Sequence, residues 1–203
     1  MSIPKILIQT SRDPLPDYVT HMIQDRLPTG WHYQHFNHEQ REQWLELNAH
    51  LLFPDIMGVY HRLPTGAHQS DLFRYYYLYL TGGMYLDSDA MLEQDADQII
   101  SDADLVAVLN EHGSSFNGFI AAEPGHPVLL AALADVYHTD PECLRHDYLL
   151  FCRNLHHLIS VHGTSRSCIL MEYQVGNDSW GSFNARNECV VMHYPNTKII
   201  PER

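Results

Sequence analysis

Apolar residues recur at three- and four-residue spacing through Leu72, Tyr75, Tyr76 and Tyr79, which predicts one apolar helical stripe. Gly82 and Gly83 follow at once, and a glycine pair stops a helix. Met84, Tyr85 and Leu86 then form a short apolar run suited to a buried strand, which ends in Asp87-Ser88-Asp89. Upstream, residues 3–9 give a first short strand. A helix is expected from about Asp17 to Leu27, with Pro16 near its first turn and Pro28 and Gly30 stopping it. Trp31 to Phe36 alternates aromatic and polar residues and reads as a second strand. Asn37 is placed to cap the helix that follows, and residues 51–63 read as a loop and a short helix.

Beyond the Asp-Ser-Asp tip, the acidic run at 93–104 reads as a solvated face. Leu105 to Leu109 and Phe116 to Ala122 read as buried strands. Turn chemistry at 123–127 precedes a helix from Val128 to Tyr137. Helical periodicity returns through Leu149, Leu150, Cys152, Leu155 and His156, and an apolar run from Cys189 leads to His193. Strand, helix, strand, helix at the start is the pattern of a parallel-sheet nucleotide-binding half. The expectation is one α/β domain over residues 1–203 with a mostly parallel central sheet flanked by helices.

With 203 residues and 45% hydrophobic content, the chain is long and apolar enough for one real core. No apolar run approaches the roughly 18 residues of a membrane span, and the first ten residues make a poor signal peptide. A soluble, cytoplasmic protein without a membrane anchor, or a piece cut from a longer one, is the expectation. A net charge of −13 argues against a nucleic-acid partner, since phosphate contacts need clustered Lys and Arg. The four cysteines lack C-x-x-C spacing and read as free thiols.

The charge also bears on the acidic tip. Asp87 and Asp89, one residue apart, share a face on a regular strand and repel unless a cation lies between them. Hard divalent cations take carboxylate oxygens and are commonly shared with phosphates. A pyrophosphate brought to so acidic a protein needs local neutralisation, and a divalent cation supplies it. Strand ends are where open α/β sheets hold ligands. Asp71 and Arg74, three apart on the helix, can share a face. They read either as a sugar- and phosphate-binding pair or as a weak surface ion pair.

The whole string is more specific. The order Ser70-Asp71-x-x-Arg74-Tyr75, an apolar helix, Gly82-Gly83 and Met84-Tyr85-Leu86-Asp87-x-Asp89 resembles the DXD glycosyltransferases of family 32 and, more distantly, the glucosylating clostridial toxins. That resemblance implies a GT-A fold, a nucleotide-sugar donor (UDP-sugar first, GDP-sugar second), a glycan or other hydroxyl acceptor, and Mn²⁺ or Mg²⁺. It also implies hexose transfer with retained anomeric configuration. Residues 1–110 would form the donor half and 111–203 the acceptor side. The metal would be held by Asp87, Asp89 and, as in several GT-A enzymes, a C-terminal His, here His193. Asp71, Arg74 and Asn117 would act on the sugar and phosphates. Gln9, Thr10, Ser70, Tyr85, Asp87 and Ser88 would lie about the nucleotide. The start, Ile3-Pro4-Lys5-Ile6-Leu7-Ile8-Gln9-Thr10, also resembles the family, with Ile8 where His is common. Asp178, Ser179 and Trp180 form a polar–aromatic cluster placed to line a sugar pocket.

Two other classes fit the acidic pair: a metal-dependent phosphoesterase or nucleotide-sugar hydrolase, and a non-catalytic nucleotide-sugar-binding protein. The first predicts product release that an acceptor does not change, and the second predicts donor affinity without turnover.

Overall fold

The structure, a computed structural model, describes residues 2–50, 53–195, 197 and 199–200. Leu51 and Leu52 of the expected loop and Pro201 at the end of the last apolar segment lie outside the described residues.

The strands are β1 (Ile6–Thr10), β2 (His32–Phe36), β3 (Gly83–Leu86), β4 (Ala90–Leu92), β5 (Leu105–Asn110), β6 (Ser115–Ala122), β7 (Ser167–Gly176), β8 (Ser179–Phe183) and β9 (Cys189–His193). They form one sheet in the order β2-β1-β3-β6-β5-β7-β8-β9-β4. The helices are α1 (Asp17–Gln24), α2 (His38–Asn48), α3 (Ile56–Arg62), α4 (Gly66–Thr81), α5 (Ala96–Ile100), α6 (Pro127–His138), α7 (Pro141–His146) and α8 (Leu150–His162). One apolar core joins a sheet face to α2, α3, α4, α6 and α8; the other joins the opposite face to α1 and α5.

The expected mostly parallel sheet is corrected to a mixed one. The pairs β1–β2, β1–β3 and β5–β7 are parallel, while β3–β6, β5–β6, β7–β8, β8–β9 and β4–β9 are antiparallel. Helical crossovers make the first three strands parallel; short links such as the one between β7 and β8 make hairpins instead.

Helix α4 is the centre of the molecule. Thr65 caps its start through His68 N, and Gly82 ends it at φ 67°. From Asp71 to Leu78 every residue is buried, so the single stripe expected from spacing understates it. Phe73 and Tyr77 pack against Phe36 and Trp44 with ring centroids 4.8–5.6 Å apart, and each such pair is worth about 0.5–1.5 kcal/mol beyond burial. Asn37 caps α2 in a capping box with Gln40, worth about 1 kcal/mol.

The acidic run is also corrected. Asp95 caps α5, which buries Ala96, Ile99 and Ile100 against the sheet, and Asp104 is buried between Thr164, Ser167 and His126.

Three residues separate β3 from β4, yet the two strands stand six positions apart in the sheet. Across a flat sheet those six gaps come to roughly 29 Å. A three-residue link spans at most about 14 Å. The sheet must therefore curl until its β4 edge returns to β3, and the acidic tip is the segment that crosses the gap.

Candidate active site

The curl encloses a cavity of about 480 Å³, within the usual range for small-molecule sites. Asp87 and Asp89 reach it from the β3–β4 link, Asp71 and Arg74 from α4, and Asn117 and Gly118 from β6. Glu172, Trp180 and His193 line it from β7, β8 and β9, and Tyr148, Leu149 and Cys152 from the start of α8 and the turn before it. Of the residues expected in the site, Asp71, Arg74, Asp87, Asp89, Asn117, Trp180 and His193 share this cavity, while Asp178 and Ser179 are not among its lining residues.

On the α4 wall the surface ion-pair reading fails, because Asp71 and Arg74 are both buried. The Arg74 guanidinium lies 4.1 Å from the centroid of the Tyr85 ring. Its Nε donates to Ser70 O at 3.2 Å and its Nη1 to Asn117 O. Its Nη2 stands 3.6 Å from Asp71 Oδ1 and 3.4 Å from Asp87 Oδ1. One cation therefore compensates two carboxylates. Burial pushes the Asp71 carboxyl up; Arg74 and the Asn117 hydrogen bond act against it. Asn117 Nδ2 donates to Asp71 Oδ1 (3.3 Å) and Tyr75 Oη (2.7 Å), while its Oδ1 is buried without a hydrogen-bond partner. A buried acceptor with no donor is costly, and a ligand hydroxyl in the cavity would satisfy it.

Beside Arg74, a relay from the first strand holds Asp87. Tyr85 Oη donates to Asp87 Oδ1 at 2.6 Å. Its one proton is then used, so the 2.8 Å contact with Thr10 is a bond that Thr10 donates. Gln9 Nε2 donates to Asp87 O, and Tyr33 Oη donates to Gln9 Oε1. Gln9, Thr10 and Tyr85 are buried and do not line the cavity; they support Asp87 from behind. Ser70 likewise lies outside the lining, accepting from Arg41 and donating to Gly66 O. Ser88 is also outside it, with its carbonyl accepting from Ile200 N.

Burial first, and then the neighbouring Asp87, push the Asp89 carboxyl up to about 7. Its Oδ2 is 3.8 Å from His193 Nε2. As the side chains stand, the described residues contain no group of three or more His, Cys, Asp or Glu converged on one point. The donor chemistry nevertheless fits a hard divalent cation: two carboxylates and an imidazole face one cavity, and the closeness of Asp87 to Asp89 is a strain that a cation would relieve.

Three site residues escape the sequence reading. Gly118 allows close approach: a Cβ there would collide with Asp87 Oδ2 and the Phe116 ring. Its position between Asn117 and Phe119 in a strand was a legible hint of such an approach. Glu172 follows the apolar run Cys168-Ile169-Leu170-Met171, a strand signal that was legible but not read. Tyr148, on the far rim, sits in a turn that read as helix.

The family model described as a glycosyltransferase sugar-binding region containing a DXD motif matches residues 5–106, half of the chain. Among curated proteins, inositol phosphoceramide mannosyltransferase 1 of Schizosaccharomyces pombe is 26% identical over 137 residues. That alignment covers 64% of this chain and 42% of the relative, so the chain spans less than half of the relative's length. Among solved structures, the PaToxG glycosyltransferase superposes with a TM-score of 0.51 at 14% identity, covering 79% of this chain and 69% of that one. That likeness bears on the fold, which is GT-A-like.

Proposed function

The chain belongs to the family of glycosyltransferase sugar-binding regions containing a DXD motif, and from that premise we propose that it moves a hexose from a nucleotide sugar to a hydroxyl of a glycan acceptor. One observation carries the reading: a single cavity has the acidic Asp87/Asp89 tip on one wall and the Asp71–Arg74–Asn117 constellation on another. A UDP-sugar is the first candidate donor and a GDP-sugar the second.

Asp89, with Asp87 and His193, would hold Mn²⁺ or Mg²⁺, which when bound supplies Lewis-acid neutralisation of the donor phosphates. Arg74 adds a fixed positive charge 3.4 Å from Asp87 Oδ1, already aimed and already desolvated. Asp71 accepts from a sugar hydroxyl, and the orphaned Asn117 Oδ1 accepts from another. Asp71 is tied to Asn117 and Arg74 and is not free to attack an anomeric carbon. Retention, which the family resemblance implies, would then run through a front-face displacement without a covalent intermediate. In this reading residues 1–110 form the donor half and 111–203 the acceptor side, with Asn117 and His193 reaching across to the donor.

The test is sugar transfer from UDP- and GDP-hexoses to a panel of glycan acceptors, with Mn²⁺ or with chelator. Asp89→Asn should lose about 100-fold or more, the equivalent of several kcal/mol. Nucleotide release at a rate no acceptor alters would favour a hydrolase instead, and donor binding without turnover would favour a binding protein.

A further inference from the structure

Glu172 is the buried carboxylate of the cavity that the proposed mechanism leaves without a task. It sits on β7 opposite Ser182 of β8; two residues along β8, Trp180 is opposite His193 of β9. Alternation along strands puts Glu172, Trp180 and His193 on one face. The Glu172 carboxylate faces the His193 ring, with Oε1 3.8 Å from Nδ1, close but beyond hydrogen-bond length. The ring is held in plane by Phe116, at a centroid distance of 4.2 Å and an interplanar angle of 25°. Its Nδ1 is buried and has no hydrogen bond, while its Nε2 points toward Asp89.

A neutral imidazole has one N–H to place, and two carboxylates compete for it. Glu172 is the more buried of the two, with 9% of its side chain exposed against 20% for Asp89. A hydrogen bond is stronger in the drier environment, and Asp89 has a cation as its alternative partner whereas Glu172 has none. We propose that Glu172 is a positioning residue that closes the short remaining gap to accept the Nδ1 proton of His193 and thereby keeps the Nε2 lone pair turned toward Asp89 and the cavity. The inference rests on the reading of His193 as a third metal donor. Carboxylates behind metal-ligating histidines fix ring orientation and tautomer in this way.

The tautomer is measured in the metal-free protein by long-range ¹H–¹⁵N correlation at alkaline pH, with the His193 signals assigned by their loss in His193→Gln. The expected result is an Nδ1–H imidazole in the wild type. Glu172→Gln should keep it, since the amide oxygen still accepts; Glu172→Ala should lose it. In parallel, Mn²⁺ affinity read by electron paramagnetic resonance should fall about 10–100-fold in Glu172→Ala and much less in Glu172→Gln. An Nε2–H tautomer in the wild type overturns the proposal, even if Glu172→Ala does not fold. So does a Glu172→Ala protein with unchanged tautomer and affinity. A wild-type protein that shows the Nδ1–H form but binds no Mn²⁺ would contradict the metal reading and still support Glu172 as the residue that sets the ring.

Discussion

At the residue scale, Arg74 holds together charges that would otherwise drive the site apart. Its removal leaves Asp71 buried and unpaired, so Arg74→Ala should cost about 3–5 kcal/mol in urea unfolding. Arg74→Lys keeps the charge but loses the planar fork that serves Ser70, Asn117 and two carboxylates. Tyr85→Phe should cost about 1.5–3 kcal/mol, the range for a hydrogen bond to a charged group, because its hydroxyl links Thr10 to Asp87. Far from the cavity, burial holds His126 below its ordinary 6.5. The folded chain then binds fewer protons than the unfolded one, so stability is lost as pH falls from about 6.5 toward the folded value. Asp104, beside it, is held low by Thr164, His126 and Ser167 against its own burial. Its contribution is present above about 3.8 and is lost in a separate, more acidic window. His126→Asn keeps an acceptor for Val128 N and should flatten the upper slope in unfolding curves taken from pH 7 to pH 5.

At the scale of elements, the turn between α4 and β3 aims the acidic tip. Gly82 has φ +67°, and a Cβ there would stand 2.7 Å from both Pro4 Cδ and Pro124 Cδ. Gly83 has φ +114°, with Ile6 O 2.8 Å from its would-be Cβ. Gly83→Ala should therefore lower stability by more than the roughly 1 kcal/mol typical of a left-handed position, visible as a lower melting temperature. This junction was legible in the sequence, because helix periodicity, glycine pair and apolar run are all local signals. The same holds for β1, α1, β2 and α2, although α1 stops at Gln24 rather than Leu27. β7 and β8 were not read from the sequence. The apolar run Cys168-Ile169-Leu170-Met171 marks the first half of β7, but from Tyr173 to Gly176 the strand is exposed and only Gly181 and Ser182 of β8 are buried, so no apolar pattern carries on through the hairpin. Gly176-Asn177-Asp178 is a local turn signal for their hairpin, whereas the pairing of β7 with β5 and of β8 with β9 joins them to the rest of the sheet.

At the scale of the molecule, the curled sheet makes one site from distant parts of the chain. Asp87 and Asp89 were readable as a pair, but their meeting with Asn117, Glu172 and His193 depends on β4 closing against β9 at the far edge. Gln9, Thr10, Ser70 and Tyr85, expected about the nucleotide, form the hydrogen-bonded layer behind Asp87 and Arg74. Among the described residues no helix is long and apolar enough to cross a membrane. The central claim is that the cavity binds a nucleotide sugar through a divalent cation. Its most direct test is the melting temperature of the protein with UDP- and GDP-sugars, in Mn²⁺ and in chelator. At about 100 times its dissociation constant, a ligand adds about 2.7 kcal/mol. The account predicts a clear rise with one nucleotide class that needs Mn²⁺ and disappears in Asp89→Asn. A rise of equal size in chelator, or none with any nucleotide sugar, would contradict it.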